Sequence, residues 1–369
     1  MSVDGGKAAV VRDGCLRPLL TQTGHYGMRF NPLSIALRLA HREITIFGVV
    51  AGAAIGSSQE GDSMAAGSNI SCVTVFGGSG FLGAEIVRRL SVDGLVTRVA
   101  TRHPENTTFP ERYIQAGGIQ PVYADVRDET SVALAMEGCD SVINAVGLYI
   151  EKGSETFAAV HELGALNIAH QAAVLDIDRL VHISGIGADL YSGSSYVGAR
   201  GKGELLVRDA FSPATILRPS VLFGPSDKFL NTLAKITDYS PLFPLFGRGE
   251  TMLQPVYVAD VAEAALKVLR NPGSQGKTYE LGGPRVYSYR ALVELILSHT
   301  GRRRLLLPVP FTVWTSLATA ASILPNPPVT RSQVALMKFD NVVAKSELSL
   351  DDLSVKPTAV EDILPHYEF

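Results

Sequence analysis

A glycine-rich turn between a short apolar strand and a helix constrains the fold of this chain more than any other feature. Residues 73–76 form an apolar run typical of a buried strand, and residues 84–90 have helical periodicity. Between them, Gly77, Gly80 and Gly83 have the spacing G-x-x-G-x-x-G. In such a turn the first glycine permits a tight bend, the second lets a ligand approach the backbone, and the third allows close helix–strand packing. Because a helix N-terminus offers free N–H groups, the turn indicates a diphosphate site.

The alternation of strand and helix continues along the chain. Further strands are predicted at 97–100, 119–123, 141–144, 180–184 and 215–218, and helices at 131–136, 157–174 and 196–210. Strands separated by helices pair in parallel. The pattern therefore predicts an α/β fold, a Rossmann doubly wound parallel sheet with a smaller C-terminal substrate lobe, and a ligand where the strand order reverses.

Three segments are predicted. Residues 71–220 form the NAD(P)-binding Rossmann domain, and residues 221–369 form a C-terminal lobe and tail, with strands and helices that return to the Rossmann sheet. Residues 1–70 read as a leader or linker, whose apolar run at 44–55 is well short of the roughly 20 residues that a membrane-spanning helix requires. Three interpretations of the leader stay open: a targeting segment, a membrane-surface anchor, or a start assigned too far upstream.

Composition excludes some classes of function. With 46% hydrophobic and 19% charged residues the chain can bury a sizeable core, and its net charge of −3 gives no case for nucleic-acid binding. Cys15, Cys72 and Cys139 lack metal or redox spacing, and the odd count predicts a reducing compartment without a disulfide framework. His161 and His170 lie on one predicted helix without a third ligand, so they are interpreted as packing or surface residues, and no metal site is predicted.

The predicted coenzyme is NADP(H), with NAD(H) as the alternative. An NAD site usually has an acidic residue after the second strand, whereas here Arg102 follows that strand. A guanidinium group pairs with phosphate oxygens, so Arg102 is expected to bind a 2′-phosphate, with Arg98 as a second candidate. The residues predicted to bind the coenzyme lie in the turn and at the carboxyl ends of the strands: Gly77, Gly78, Ser79, Gly80, Phe81, Leu82, Gly83, Arg102, Asp125, Val126, Asn144, Ala145, Val146, Gly147, Tyr196, Arg200 and Pro219.

Five motifs together resemble a known family. Residues 77–83, 144–147, 182–184, 217–225 and 254–260 are similar to extended or atypical short-chain dehydrogenases. Within that group the chain resembles the nucleotide-binding accessory subunit of respiratory complex I, alpha-subcomplex subunit 9, and its bacterial relatives. The resemblance implies a tightly held NADPH, a structural or assembly role with complex I subunits or a quinone-biosynthesis complex, and a location in the cytoplasm, at the inner membrane, or on the mitochondrial matrix side.

Catalysis by this chain is an open question at the level of sequence. Active short-chain dehydrogenases use a serine, and a tyrosine four residues before a lysine that lowers the tyrosine pKa. Ser184 and Tyr196 occupy the first two positions, but the third is Arg200. The swap is not conservative at a positioned site. Lys202 is six residues from Tyr196 and projects to another face of the helix.

Glycines are expected to weaken the helix that carries this motif. Gly198, Gly201 and Gly203 each cost up to about 1 kcal/mol relative to alanine. The favoured hypothesis is accordingly an accessory or assembly protein that binds NADP(H) mainly as a structural ligand. The alternatives are an active NAD(P)-dependent reductase or epimerase/dehydratase that uses Tyr196 as acid/base, Ser184 as substrate hydrogen-bond donor and Arg200 as ribose anchor, and a regulator that senses dinucleotide occupancy.

Two features of the C-terminal lobe have predicted roles in contacts. The apolar segment 305–324 follows Arg302–Arg304 and is interpreted as a contact with a membrane surface or partner subunit, or as a core helix of the lobe. Tyr257 and Asp260 are expected to fix the lobe to the sheet, with Asp260 capping the helix that follows it.

Overall fold

Seven parallel strands form the central sheet of the protein. The computed structural model describes residues 70–109, 118–324 and 327–369, so the predicted leader lies outside the described residues except for Ile70. The strands of the sheet are β1 (Cys72–Phe76), β2 (Val96–Thr101), β3 (Ile119–Tyr123), β4 (Ser141–Asn144), β5 (Arg179–Ile183), β6 (Thr215–Pro219) and β11 (Thr278–Leu281). Their order is β11-β6-β5-β4-β1-β2-β3, with every neighbouring pair parallel. The predicted doubly wound fold is confirmed, and the order reverses between β1 and β4.

Ten α-helices are found among the described residues: α1 (Phe81–Val92), α2 (Glu129–Met136), α3 (Ala165–Val174), α4 (Ser195–Ala210), α5 (Phe229–Tyr239), α6 (Val258–Arg270), α7 (Tyr289–His299), α8 (Phe311–Ala321), α9 (Arg331–Leu336) and α10 (Val360–Ile363). Helices α1 and α6 share a core with β1 on one face of the sheet, and α2, α3 and α4 share a second core on the other. Strands β1 and β4 are buried along their whole length because both faces are covered.

A smaller lobe follows β6. It contains three two-stranded sheets, built from β7 (Leu222–Phe223), β8 (Leu242–Phe246), β9 (Met252–Leu253), β10 (Val256–Tyr257), β12 (Tyr287–Ser288) and β13 (Leu305–Val309). Helices α5 and α7 bury their apolar faces against β8 in a third core. Because β11 lies within the main sheet, the chain crosses between lobe and sheet more than once, and the boundary at residue 220 stays a prediction.

The helix predicted at 157–174 begins differently from the prediction. Residues Ala158–Gly164 form a π-helix that continues into α3. Helix α4 lies close against this π-helix: a Cβ on Gly203 would come within 2.1 Å of the His161 carbonyl oxygen. A Cβ on Gly201 would come within 2.4 Å of the Leu190 nitrogen. Gly201 and Gly203 therefore allow tight packing that a side chain would prevent, a role that the sequence did not reveal.

The structure corrects the prediction about cysteines. Cys72 begins β1 and Cys139 lies just before β4, and the structure joins them in a disulfide with their Cα atoms 4.7 Å apart. The two residues are 67 positions apart in sequence, so their spacing gave no sign of the pair. They meet because β1 and β4 are neighbours in the sheet.

Asp260 does not cap the helix as predicted. It is the third residue of α6, and its carboxylate accepts hydrogen bonds from the backbone nitrogen and the hydroxyl of Thr358, at 2.6 and 3.0 Å. Burial raises the pKa of this carboxyl. Asp260 therefore ties the C-terminal segment to α6, a long-range contact that its position in the sequence did not reveal.

The apolar segment 305–324 forms β13 and α8 instead of a core helix. Ala318 is the only buried residue of α8, and Leu317 is 51% exposed. Within the described parts of the chain, no helix combines the length and apolar character that crossing a membrane requires.

Candidate functional site

The predicted glycine turn leads from β1 into α1. Gly77 has a φ of +75°, in the left-handed region that favours glycine. A Cβ on Gly83 would lie 2.0 Å from the Gly77 carbonyl oxygen, so only glycine fits where the helix crosses the end of the strand. A Cβ on Gly80 would meet one atom within 4 Å, the Gly77 carbonyl oxygen at 3.3 Å. The turn therefore folds tightly on itself and leaves Gly80 exposed.

The N-terminus of α1 is left open to an acceptor. Gly80 caps the helix without a side-chain hydrogen bond, and the first turn contains no acidic residue. The first amides of an α-helix have no partner within the helix, so Phe81, Leu82 and Gly83 present N–H groups that an anion can accept from. Leu82 is buried beneath the turn, whereas Phe81 is 36% exposed.

The turn lies at the point where the strand order reverses. A Cβ on Gly77 would be 2.8 Å from the Ala145 carbonyl oxygen, and Ala145 donates its N–H to Phe76. The Asn144 side chain accepts from the Val146 nitrogen at 3.1 Å and contacts His182 Nδ1 at 3.1 Å. The Ala145–Phe76 bond holds the end of β4 against the end of β1, and the Asn144–His182 contact joins it to β5. The exposed Gly147 follows. The crevice that the fold rule predicts is bounded by this pair of strand ends.

Charged residues gather at the ends of β2 and β3. Ser79 Oγ of the turn lies 3.5 Å from Thr101 Oγ1 at the end of β2. The next residue, Arg102, forms an ion pair with Glu155, which the sequence reasoning missed. Asp125 is held by Arg127, whose guanidinium lowers the pKa of that carboxyl.

Packing contacts and hydrogen bonds position three other residues that the sequence singled out. The Val126 side chain packs against Gly164 of the π-helix, and its carbonyl accepts from Asn167. Pro219 ends β6, where its carbonyl accepts from the Ile186 nitrogen at 3.1 Å. Arg98 donates to the carbonyl of Glu137, whereas Arg102, at the end of β2, pairs with a carboxylate. Arg102 is thus the candidate phosphate ligand of the two arginines.

Tyr196 and Arg200 contact each other directly on α4. Arg200 Nη1 donates to the Tyr196 hydroxyl oxygen at 2.9 Å, and the guanidinium lies 5.4 Å from the centre of the ring. A Cβ on Gly185 would come within 2.4 Å of Arg200 Nη2, so the guanidinium lies flat on the backbone next to Ser184. The structure brings the three predicted catalytic residues into one neighbourhood.

The Tyr196 ring is enclosed by other aromatic residues. It stacks on Tyr149 at 5.8 Å and meets Phe157 and His161 edge-on at 5.3 and 5.6 Å. Tyr196 is only 4% exposed. Burial raises the pKa of its phenol to about 12, and the nearby Arg200 charge offsets only part of that rise. A phenol in this environment stays protonated at neutral pH.

Two buried groups lie near this cluster. The Ser184 hydroxyl is buried and has no hydrogen-bond partner among the described residues, which is uncommon for a polar group. Burial lowers the pKa of His161 to about 4, so this imidazole is neutral at physiological pH. His161 Nε2 lies 3.0 Å from the Leu148 carbonyl oxygen, and its ring meets Tyr196 edge-on.

An open cleft adjoins the aromatic cluster. It has a volume of about 240 Å³ and is lined by Tyr149, Phe157, Ala318, Leu324 and Arg331 among others. Tyr149 and Phe157 face this cleft and also contact Tyr196. Sequence reasoning did not identify the loop at 148–157, because an irregular loop has no periodicity to detect.

Comparison with known proteins agrees with this fold. The model of the NAD dependent epimerase/dehydratase family matches residues 73–282, more than half of the chain. A nucleoside-diphosphate-sugar epimerase from Staphylococcus aureus has a similar structure, with a TM-score of 0.63 and 15% identity, covering 79% of this chain and 99% of its own. The chain belongs to the NAD dependent epimerase/dehydratase family.

The sequence is also similar to a subunit of a respiratory enzyme. NADH dehydrogenase [ubiquinone] 1 alpha subcomplex subunit 9, mitochondrial, from Arabidopsis thaliana is 31% identical over 300 residues, which cover 77% of this chain and 74% of the relative. The protein of the same name from Rattus norvegicus is 32% identical over 291 residues, covering 78% and 77%. The predicted resemblance to the subunit 9 proteins is confirmed.

Proposed function

We propose that this protein binds a nicotinamide dinucleotide, NADP(H) in preference to NAD(H), and holds it mainly as a structural ligand of an accessory or assembly protein of complex I. The observation that carries the structural role is the burial of Tyr196, whose pKa of about 12 suits packing better than proton transfer. General acid–base catalysis is most efficient when the pKa lies near the working pH. The subunit 9 relatives support the association with complex I.

The geometry of the glycine turn also supports a dinucleotide site. Gly77 and Gly83 pack so closely that a Cβ at either position would meet backbone, while the first amides of α1 have no partner within the helix. In this proposal those amides bind the diphosphate, Arg102 binds the 2′-phosphate, and Tyr196 and Arg200 border the nicotinamide ribose. A bound nicotinamide supplies hydride transfer chemistry. A ligand that binds only the folded state stabilises it, by about 2.7 kcal/mol when present at a hundred times its Kd.

Replacing Tyr196 by phenylalanine tests the structural role. We expect the Tyr196→Phe variant to retain NADP(H) through purification as the wild type does, because the phenol is buried and contributes no proton. The measurement is coenzyme content by mass spectrometry, together with coenzyme oxidation in the presence of candidate carbonyl substrates. Tyr239→Phe, at a tyrosine that is 89% exposed, is the control. Rapid turnover by the wild type that Tyr196→Phe abolishes would overturn the structural role.

Arg102 tests the choice of coenzyme. We expect Arg102→Gln to weaken NADPH binding by about tenfold to a hundredfold, since a hydrogen bond to a charged group contributes about 1.5–3 kcal/mol. NADH binding should stay within twofold or so, because NADH lacks the 2′-phosphate. Isothermal titration calorimetry gives both constants. Arg98→Gln removes the same charge from an arginine that bonds to Glu137, so it serves as the control. Equal weakening of both coenzymes would contradict the assignment.

A second candidate is an active reductase or epimerase/dehydratase. The unpartnered Ser184 hydroxyl favours it, because such a group is available to donate to a substrate oxygen. The cleft beside Tyr149 and Phe157 offers a mostly apolar surface for that substrate. In this candidate Tyr196 donates the proton and Arg200 anchors the ribose. Turnover that is lost in Tyr196→Phe distinguishes it from the structural role.

A further inference from the structure

One acidic residue lies where the proposed function puts the 2′-phosphate. Arg102, the first residue after β2, is bound by the carboxylate of Glu155. The Arg102 side chain is 47% exposed and that of Glu155 is 32% exposed. A carboxylate and a phosphate offer a guanidinium the same kind of acceptor, paired oxygens with negative charge. Glu155 therefore gives Arg102 the type of partner that the phosphate would provide.

Hydrogen bonds fix the conformation of the loop that carries Glu155. Lys152 and Glu155 exchange backbone hydrogen bonds, each at 3.0 Å, which closes a tight turn. Next to Glu155, the Ser154 hydroxyl accepts from Arg127 at 2.9 Å. Arg127 is itself bound to Asp125 at the end of β3. The loop thus attaches to the ends of both β2 and β3 through two arginines.

The same loop reaches the aromatic cluster around Tyr196. Tyr149 precedes this turn and Phe157 follows it, and both rings contact Tyr196. Glu151 accepts a hydrogen bond from the Phe157 nitrogen at 2.7 Å, which joins the two ends of the loop. A change at Glu155 therefore acts on a segment that covers Tyr196 and borders the cleft.

We propose that Glu155 is a built-in competitor of the 2′-phosphate. NADP(H) displaces Glu155 from Arg102 and thereby loosens the loop at 148–157 over Tyr196, whereas NAD(H) does neither. The inference rests on the proposed function, since it needs a dinucleotide beside Arg102. A phosphate monoester carries close to two negative charges at neutral pH and makes several charge-assisted bonds. An exposed ion pair is weak, so the phosphate replaces Glu155 as the partner of Arg102. The neutral ribose hydroxyls of NAD(H) leave the Arg102–Glu155 pair intact.

The test is the affinity of Glu155→Gln for each coenzyme. Removing the competitor is expected to tighten NADPH binding by about twofold to fivefold, within the range that an exposed ion pair allows, and to leave NADH binding unchanged. Glu105→Gln is the matched control: it removes the same charge from an exposed residue near Arg102 that interacts with His103 instead. Calorimetry on the full chain measures all four constants beside those of the wild type. Weaker NADPH binding, no change, or equal tightening in Glu105→Gln would overturn the proposal.

Hydrogen exchange tests the movement of the loop. In the wild type, NADPH is expected to speed amide exchange in a peptide covering residues 148–157, whereas NADH does not. In Glu155→Gln that peptide should exchange faster before any coenzyme is added. Equal protection with both coenzymes overturns the coupling even where both bind. Failure of the proposed function looks different, because the wild type would then bind neither coenzyme.

Discussion

Replacing Gly83 by alanine is expected to abolish dinucleotide binding and to lower the free energy of unfolding by about 3 kcal/mol, the upper range for forcing an extra carbon into a packed site. Alanine is the better helix former by about 1 kcal/mol, which acts in the opposite direction. The added Cβ would lie 2.0 Å from the Gly77 carbonyl oxygen and 2.8 Å from the Gly78 Cα. These are backbone atoms that cannot rotate away, so the clash outweighs the gain in propensity and displaces the turn.

Chemical denaturation and calorimetric titration measure the two effects. Gly193→Ala is the control, because a Cβ at Gly193 meets no atom within 4 Å and its φ is not positive. Gly193→Ala should retain both stability and coenzyme binding. A Gly83→Ala variant that binds either coenzyme with wild-type affinity would contradict the role of the turn.

The second large effect is expected at Arg218, which holds two buried carboxylates. Arg218 bonds Glu204 through Nε and Nη2, at 3.0 and 2.7 Å, and its Nη1 lies 3.6 Å from Glu280. These residues join α4 to β6 and β11. Arg218→Met leaves both carboxylates without their counter-charge, so we expect the free energy of unfolding to fall by about 3–5 kcal/mol. Denaturant unfolding at neutral pH measures the change.

Two further variants show whether charge is the cause. Adding Glu204→Gln to Arg218→Met removes one unpaired charge and should recover part of the loss. Arg248→Met breaks the exposed pair with Glu250 and should change stability by no more than about 0.5 kcal/mol. If Arg218→Met is as mild as Arg248→Met, the buried network does not stabilise the fold as described.

Periodicity predicted the sheet well for a physical reason. Strands β3 and β4 have the predicted bounds, because burial on defined faces leaves a regular pattern in the sequence. The smaller lobe was harder to predict. Its strands β7, β9, β10 and β12 are only two residues long, so no period can develop. Long-range contacts such as Asp260 with Thr358 and Cys72 with Cys139 leave no local signal at all.

The candidate site likewise has local features that the sequence predicts and long-range features that it does not. The glycine turn and the Tyr196–Arg200 pair are local motifs, seven and five residues long respectively, whose spacing fixes their geometry. The ion pair between Arg102 and Glu155 joins residues 53 positions apart. The rings around Tyr196 come from the π-helix and from the loop that precedes it. Only the tertiary structure shows that Tyr196 is buried, which is why its raised pKa was not predicted.

Intact-mass measurement under native conditions tests the central claim most directly, because it reports what the glycine turn holds in the protein as purified. The account predicts one NADP(H) per chain in the wild type, lost in Gly83→Ala and retained in Gly193→Ala. A wild-type chain that carries no nucleotide and takes up neither NADPH nor NADH on titration would contradict it.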